Sequence, residues 1–235
     1  MNGAPSYGES FFVAAIGALR FPVRPAWLLV LVMIPLLNQC SALTSGPWSI
    51  LSVVFQTVSA LYTLGLVQSI VQATARGVDL VLPNFTWKTA FGGLAHTILG
   101  WLLLLAVCLG PFVFVHHHTK GDANLERLLL GAGLAYFPMG LLALLETGWP
   151  NAINPLHVAS SARRAPLAYG LTVLLLLPHF YLAAGVDSDQ LAASQPGGIK
   201  FALRLGLEIG ALYFALYWSR VLGLFYRFHR QLLNW

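Results

Sequence analysis

The chain has 235 residues, of which 57% are hydrophobic and only 9% are charged, and its mean hydropathy is +0.73. A soluble domain carries about 25% charged residues, so this composition excludes a water-soluble globule. The formal net charge of +5 is small and scattered, which argues against a nucleic-acid partner and assigns the basic residues to membrane orientation and lipid headgroups.

The first ten residues, MNGAPSYGES, carry no Lys or Arg. The basic start of a cleavable secretory signal is therefore missing, and an uncleaved first span is expected. Within residues 10–37, Ser10 is a helix cap, Phe11, Phe12, Ala15, Ile16 and Leu19 supply apolar positions, and Arg20 and Pro22 close the segment. This pattern predicts a short helix lying in the membrane plane and feeding a span over 25–43. Asn38 and Gln39 interrupt that apolar run, so a shortened or kinked first span is expected.

A second span is predicted over 48–74, where Gln56, Gln68 and Gln72 form a candidate polar seam. A third is expected over 93–115, led by a further in-plane helix beginning at Asn84, and it ends at His116, His117 and His118. Three histidines near Asp122 and Glu126 are weak metal candidates, because adjacent residues on a helix or strand cannot all converge on one ion. Half-polar rings at a span's outer edge explain them better. No metal or other cofactor is expected.

The fourth span is predicted over 127–147, followed by NAINPLHVASSARRAP. Here Asn154 is the cap, Pro155 suits the first helical position, and Leu156, Val158, Ala159 and Ala162 make an apolar face ending at Arg163 and Arg164. Pro166 then begins a fifth span, 166–186, and a sixth covers 200–219. The last sixteen residues, RVLGLFYRFHRQLLNW, have apolar residues at helical spacing opposite Arg220, Arg227 and Arg230, which predicts a separate amphipathic surface helix. Arg20, Arg163, Arg164, Arg220, Arg227 and Arg230 are the expected lipid-headgroup contacts.

Arginine follows the cap by ten residues and proline by twelve at both Ser10 and Asn154. That recurrence suggests one membrane domain, 1–235, built from repeat units 10–74, 84–147 and 154–219, with 220–235 as the terminal helix. Nine basic residues fall on one side of the six spans (Arg20, Arg24, Arg76, Lys88, Arg163, Arg164, Arg220, Arg227, Arg230) and four on the other (Lys120, Arg127, Lys200, Arg204). The bias places both termini in the cytoplasm and the chain in the inner (plasma) membrane.

Glu208 is the carboxylate deepest within an apolar span, with Arg204 one turn before it. It is a structural ion pair, a relay for a proton or cation, or a neutral or hydrated glutamate. On the same helix Ala202, Gly206 and Gly210 form a small-residue face suited to close helix approach. Pro35, Pro111, Pro138 and Pro178 sit inside spans and can kink them. Cys40 and Cys108 have no metal-ligand spacing; packed thiols are expected, with a disulfide between them conceivable.

RGVDLVLPNFTWKTAFGGL (76–94), AYFPMGLLALLETGWPNAINPLHVASSARRAPLAYG (135–170) and the closing RVLGLFYRFHRQLLNW resemble a group of bacterial six-span membrane proteins of unknown function. A more distant likeness is to the membrane domain of glycerophosphodiester phosphodiesterases and to Yip-type proteins. The resemblance implies architecture and no catalytic residue, and the usual catalytic motifs are missing.

The expected fold is an all-α, polytopic membrane bundle of six spans with interfacial amphipathic helices. The leading functional expectation is a non-enzymatic scaffold that organises lipids, other membrane subunits or a homo-oligomer. The alternatives are a small transporter or channel, its polar path formed by Glu208, Gln56, Gln68 and Gln72, and an intramembrane lipid-modifying enzyme. The last requires His and acidic groups at one depth, which the linear sequence does not place together.

Overall fold

The computed structural model describes residues 10–42, 49–78, 94–118, 123–183 and 197–233. Among these residues there is no strand. The helices are α1 (Phe11–Gly17, continued by a 3₁₀ turn, Ala18–Arg20), α2 (Pro25–Ala42), α3 (Ser49–Ala75), α4 (Leu94–His118), α5 (Ala123–Thr147), α6 (Trp149–Ala152), α7 (Pro155–Arg164), α8 (Pro166–Ala183) and α9 (Gly197–Leu233). The helix expected from Asn84 lies outside the described residues.

Among the described residues three helices are long and apolar enough to cross a membrane: Ile50–Ala75, Ile98–His118 and Ala123–Thr147. The count rises to five if each of two bent pairs is one span. Those pairs are Phe11–Arg20 with Pro25–Gln39, bent by 67°, and Pro155–Arg164 with Pro166–Leu182, bent by 112°. Both bends fall where the sequence has a capped helix, a basic residue and a proline. The Ser10 side chain accepts a hydrogen bond from the Val13 amide, and the Asn154 side chain accepts from Leu156 and His157. Pro35, Pro111, Pro138 and Pro178 lie inside continuous helices. α2 also runs unbroken through Asn38 and Gln39, so the expected interruption does not occur.

Several hydroxyls inside these helices are satisfied within them, although the buried Thr74 Oγ1 has no partner among the described residues. Thr63 donates to Ser59 O, Thr147 to Ala143 O, Thr172 to Ala168 O and Ser219 to Ala215 O. Bonding one turn back lets a polar side chain sit in an apolar surrounding without an orphaned donor. Large apolar side chains point outward: Ile50 is 75% exposed, Val53 62%, Leu102 58% and Leu174 59%. In water such surfaces would aggregate, whereas lipid tails cover them without cost.

The chain forms two compact units, Met1–Pro83 with Leu174–Leu224, and Asn84–Val173 with Phe225–Trp235. The core of the first holds Phe21, Trp27, Val30, Leu31 and Ile34 against Leu66, Ile70, Leu212 and Leu216. α1 buries Phe11 and Ala15 and exposes Phe12, Val13 and Ile16, so its expected single apolar face is divided between protein and surroundings. Two tyrosines anchor this segment: Tyr213 donates to Leu19 O at 2.8 Å and Tyr217 to Ala15 O at 3.3 Å.

In the second unit α4 and α5 form a hairpin whose closest approach is at Gly133 and Gly140. A Cβ at Gly133 would lie 2.1 Å from Cys108 O, and one at Gly140 would lie 2.6 Å from Leu104 Cδ1. The small-residue face expected at Ala202, Gly206 and Gly210 behaves differently. Gly206 has open space around its missing side chain, and only Gly210 meets a neighbour, Leu182 Cδ1 at 3.2 Å. Cys108 is a buried free thiol, while the Cys40 side chain lies outside the described ones. α7 buries Val158 and Ser161 and leaves Leu156 79% exposed.

α9 differs most from expectation. The helix expected to stop near 219 continues without a break to Leu233, and Val221, Leu222 and Phe225 are fully buried. Its last turn is capped by Arg164, whose Nη1 donates to Leu232 O at 3.1 Å and Leu233 O at 2.6 Å. Terminal carbonyls have no helical partner of their own, and a cation there also opposes the negative end of the helix dipole. Arg164→Gln should therefore fray residues 225–233 at a cost of about 1 kcal/mol, seen as faster amide exchange there and nowhere in α2 or α3.

A polar cavity around Glu208

Within the first unit, α2, α3, α8 and α9 surround a cavity of about 850 Å³. It begins where the apolar core ends, since Ile34 and Leu212 belong to both. The rest of the lining mixes apolar residues with polar ones: Asn38 and Gln39 from α2, Gln56, Ser59 and Thr63 from α3, His179 from α8, and Arg204 and Glu208 from α9. Ligand sites generally occupy 300–1,000 Å³ and combine apolar walls with a few convergent polar groups.

Glu208 is the centre of this arrangement. Its Oε1 accepts a hydrogen bond of 2.5 Å from Gln39 Nε2. Its Oε2 is buried and has no hydrogen-bond partner among the described residues. Asn38 and the charge of Arg204 also act on the carboxylate. His179 donates from Nδ1 to Ala211 O at 2.9 Å, a carbonyl one turn beyond Glu208 on the same helix. That bond assigns the proton to Nδ1 and leaves Nε2 as the acceptor nitrogen.

The role of α3 follows from helical geometry. Gln56, Ser59, Ala60, Thr63 and Leu64 recur at three- and four-residue spacing and line the cavity. The same stripe continues as Val67, Ile70, Val71 and Thr74, all buried. One face of α3 thus packs into the core along its second half and lines the cavity along its first. Gln68 and Gln72 are rotated from Gln56 by about 120° and 160° at 100° per residue, and neither lines the cavity. The expected three-glutamine seam therefore reduces to Gln56.

His179 and Gln39 are the site residues that sequence reasoning missed. Asn38 and Gln39 carried a usable signal, a polar pair inside an apolar run, and only the fold shows that the pair faces Glu208. The expectation that no histidine and acid lie together is corrected as well, since His179 and Glu208 line one cavity.

The other candidate residues are spread over the chain. His116 Nδ1 lies 3.2 Å from Glu126 Oε1, while His118 bonds Phe114 O and stacks on the Phe114 ring. Among the described residues no three His, Cys, Asp or Glu side chains converge on a metal-sized site. Of the cations expected at lipid headgroups, Arg20, Arg163 and Arg230 are exposed. Arg164 caps α9, Arg220 lies with its guanidinium 5.0 Å from the Phe21 ring centroid, and Arg227 is half-buried. No family, curated protein or solved structure matches the chain.

Proposed function

We propose that this chain is a polytopic protein of the inner membrane, with six spans and both termini cytoplasmic, and that it acts as a small transporter or channel whose polar path passes Glu208. The observation that carries the reading is the 850 Å³ cavity with a buried, unpartnered carboxylate oxygen at its wall. Charged groups inside apolar spans are costly and are kept where they meet water, an ion or a substrate. A lipid-facing scaffold has no use for such a cavity.

Membrane depth supports the same reading. The nine cations on one side of the proposed spans, against four on the other, support that direction for each span. With that direction Gln39 lies near the outer end of the first span, Gln56 near the outer start of the second, His179 near the outer end of the fifth, and Arg204 and Glu208 in the outer half of the sixth. Four separately oriented spans thus bring their polar residues to one depth, on the side facing away from the cytoplasm. Gln68 and Gln72 fall in the inner half, away from the cavity.

The test is side-chain accessibility in proteoliposomes, in a background with Cys40 and Cys108 both replaced by alanine. Thr63→Cys, on the cavity wall, should react with a membrane-impermeant methanethiosulfonate at least tenfold faster than Leu66→Cys, which is buried in the core. Equal, slow labelling of the two would mean a dry interior. The scaffold reading, with lipids or membrane subunits as partners, would then take its place.

A further inference from the structure

The lining of the cavity also bears on which ion Glu208 exchanges, and this step rests on the transport reading. A sodium ion needs several oxygen ligands, since hard cations are held by carboxylates, carbonyls, hydroxyls and water. Asn38, Gln39, Gln56, Ser59 and Thr63 bring oxygen-bearing side chains to the wall, and on Glu208 itself Oε1 accepts from Gln39 Nε2 while Oε2 has no hydrogen-bond partner among the described residues. The nearest α2 group thus presents an N–H to the carboxylate, and the neighbouring cation on α9 is a guanidinium. The other basic atom on the wall is an imidazole nitrogen, His179 Nε2, its partner Nδ1 being engaged with Ala211 O.

A proton, unlike a metal cation, needs no shell of oxygens and is held by a single open acceptor such as Oε2 or Nε2. We infer that Glu208 Oε2 is the binding site of an exchangeable proton, with His179 Nε2 as the second proton acceptor on the same cavity wall. The balance is simple. A proton from the outer aqueous phase forms an O–H bond at Oε2 and neutralises the carboxylate; its return to water or to Nε2 restores the anion, with no change in oxidation state. Glu208, His179 and Arg204 are the ionisable residues that line the cavity, because α2 and α3 contribute only amides and hydroxyls there. Arg204 stays charged throughout, which leaves Glu208 and His179 to carry the exchange.

The experiment is infrared difference spectroscopy of the full-length protein in lipid, with the perfusing buffer switched between pH 9 and pH 5. The wild type should gain a carboxylic-acid carbonyl band at the lower pH. The band should disappear in Glu208→Gln, persist at a shifted frequency in Glu208→Asp, and be unchanged when sodium chloride replaces potassium chloride at fixed pH. His179→Gln should retain the band and lose the imidazole ring signals that accompany it. A wild type without the band overturns the inference, as does a band that Glu208→Gln leaves intact or that sodium displaces. Fast labelling of Thr63→Cys together with any of these negative results would sink the proton and leave the transport path standing; slow labelling would remove both.

Discussion

Replacing Gly133 with alanine should cost about 3 kcal/mol and lower the melting temperature of the purified protein by several degrees. The added Cβ would lie 2.1 Å from the Cys108 carbonyl oxygen and 2.9 Å from its carbon. Both atoms are backbone of the facing helix, so no rotamer change can relieve the clash, and α4 and α5 must move apart. Overpacking a well-packed interface costs about 1–3 kcal/mol, and the upper end applies where backbone must shift. Separation would also loosen the contacts of Trp101 with Phe137, whose ring centroids lie 6.0 Å apart. Gly131→Ala is the control, because a Cβ there meets nothing within 4 Å. It should be neutral or stabilising by up to about 1 kcal/mol, as alanine favours helix over glycine. Equal melting of the two variants would contradict the close packing of the hairpin.

The second large effect concerns the Gln39–Glu208 pair. Gln39→Leu should destabilise the protein by about 1–3 kcal/mol, because it strips the half-buried carboxylate of its 2.5 Å donor. Adding Glu208→Leu should recover most of that loss. Replacing both members of a buried polar pair with apolar groups is often neutral or stabilising, whereas removing one leaves the other uncompensated. A double-mutant cycle of thermal melts checks this, and additive losses would mean that the two side chains do not interact. The double variant separates stability from function, since it should fold well and lack the proton-linked infrared band. A membrane protein that keeps Glu208 at a cost in stability has a use for the charge.

The helices themselves were largely legible. Expected spans at 25–43, 48–74 and 93–115 correspond to Pro25–Ala42, Ser49–Ala75 and Leu94–His118, because long apolar runs have no other way to satisfy their backbone in lipid. The capped helices before Pro25 and Pro166 were legible too, since cap and proline act through neighbouring residues. Errors arose where a residue's meaning depends on a partner far along the chain. Arg164 had the sequence signature of a headgroup contact, and nothing in the sequence shows that this exposed side chain also caps a helix end 68 residues away. Asn38 and Gln39 had that of a break, but α2 passes straight through them and presents Gln39 to a residue 169 positions on.

Composition and periodicity by themselves determined an all-helical chain with apolar, membrane-length helices, the places where those helices start and bend, and Glu208 as the unusual charge. These properties are local: hydropathy, capping and proline geometry act over at most a few turns. Tertiary structure alone decided that Gln56 lines the cavity of Glu208 while Gln68 and Gln72 do not, that His179 lines it too, and that an added Cβ would meet a facing backbone at Gly133 but open space at Gly206. The physical reason is that a helix's faces are equivalent until another helix packs on one of them. Side chains on that one face then become core, cavity or hydrogen-bond partner, according to what lies opposite.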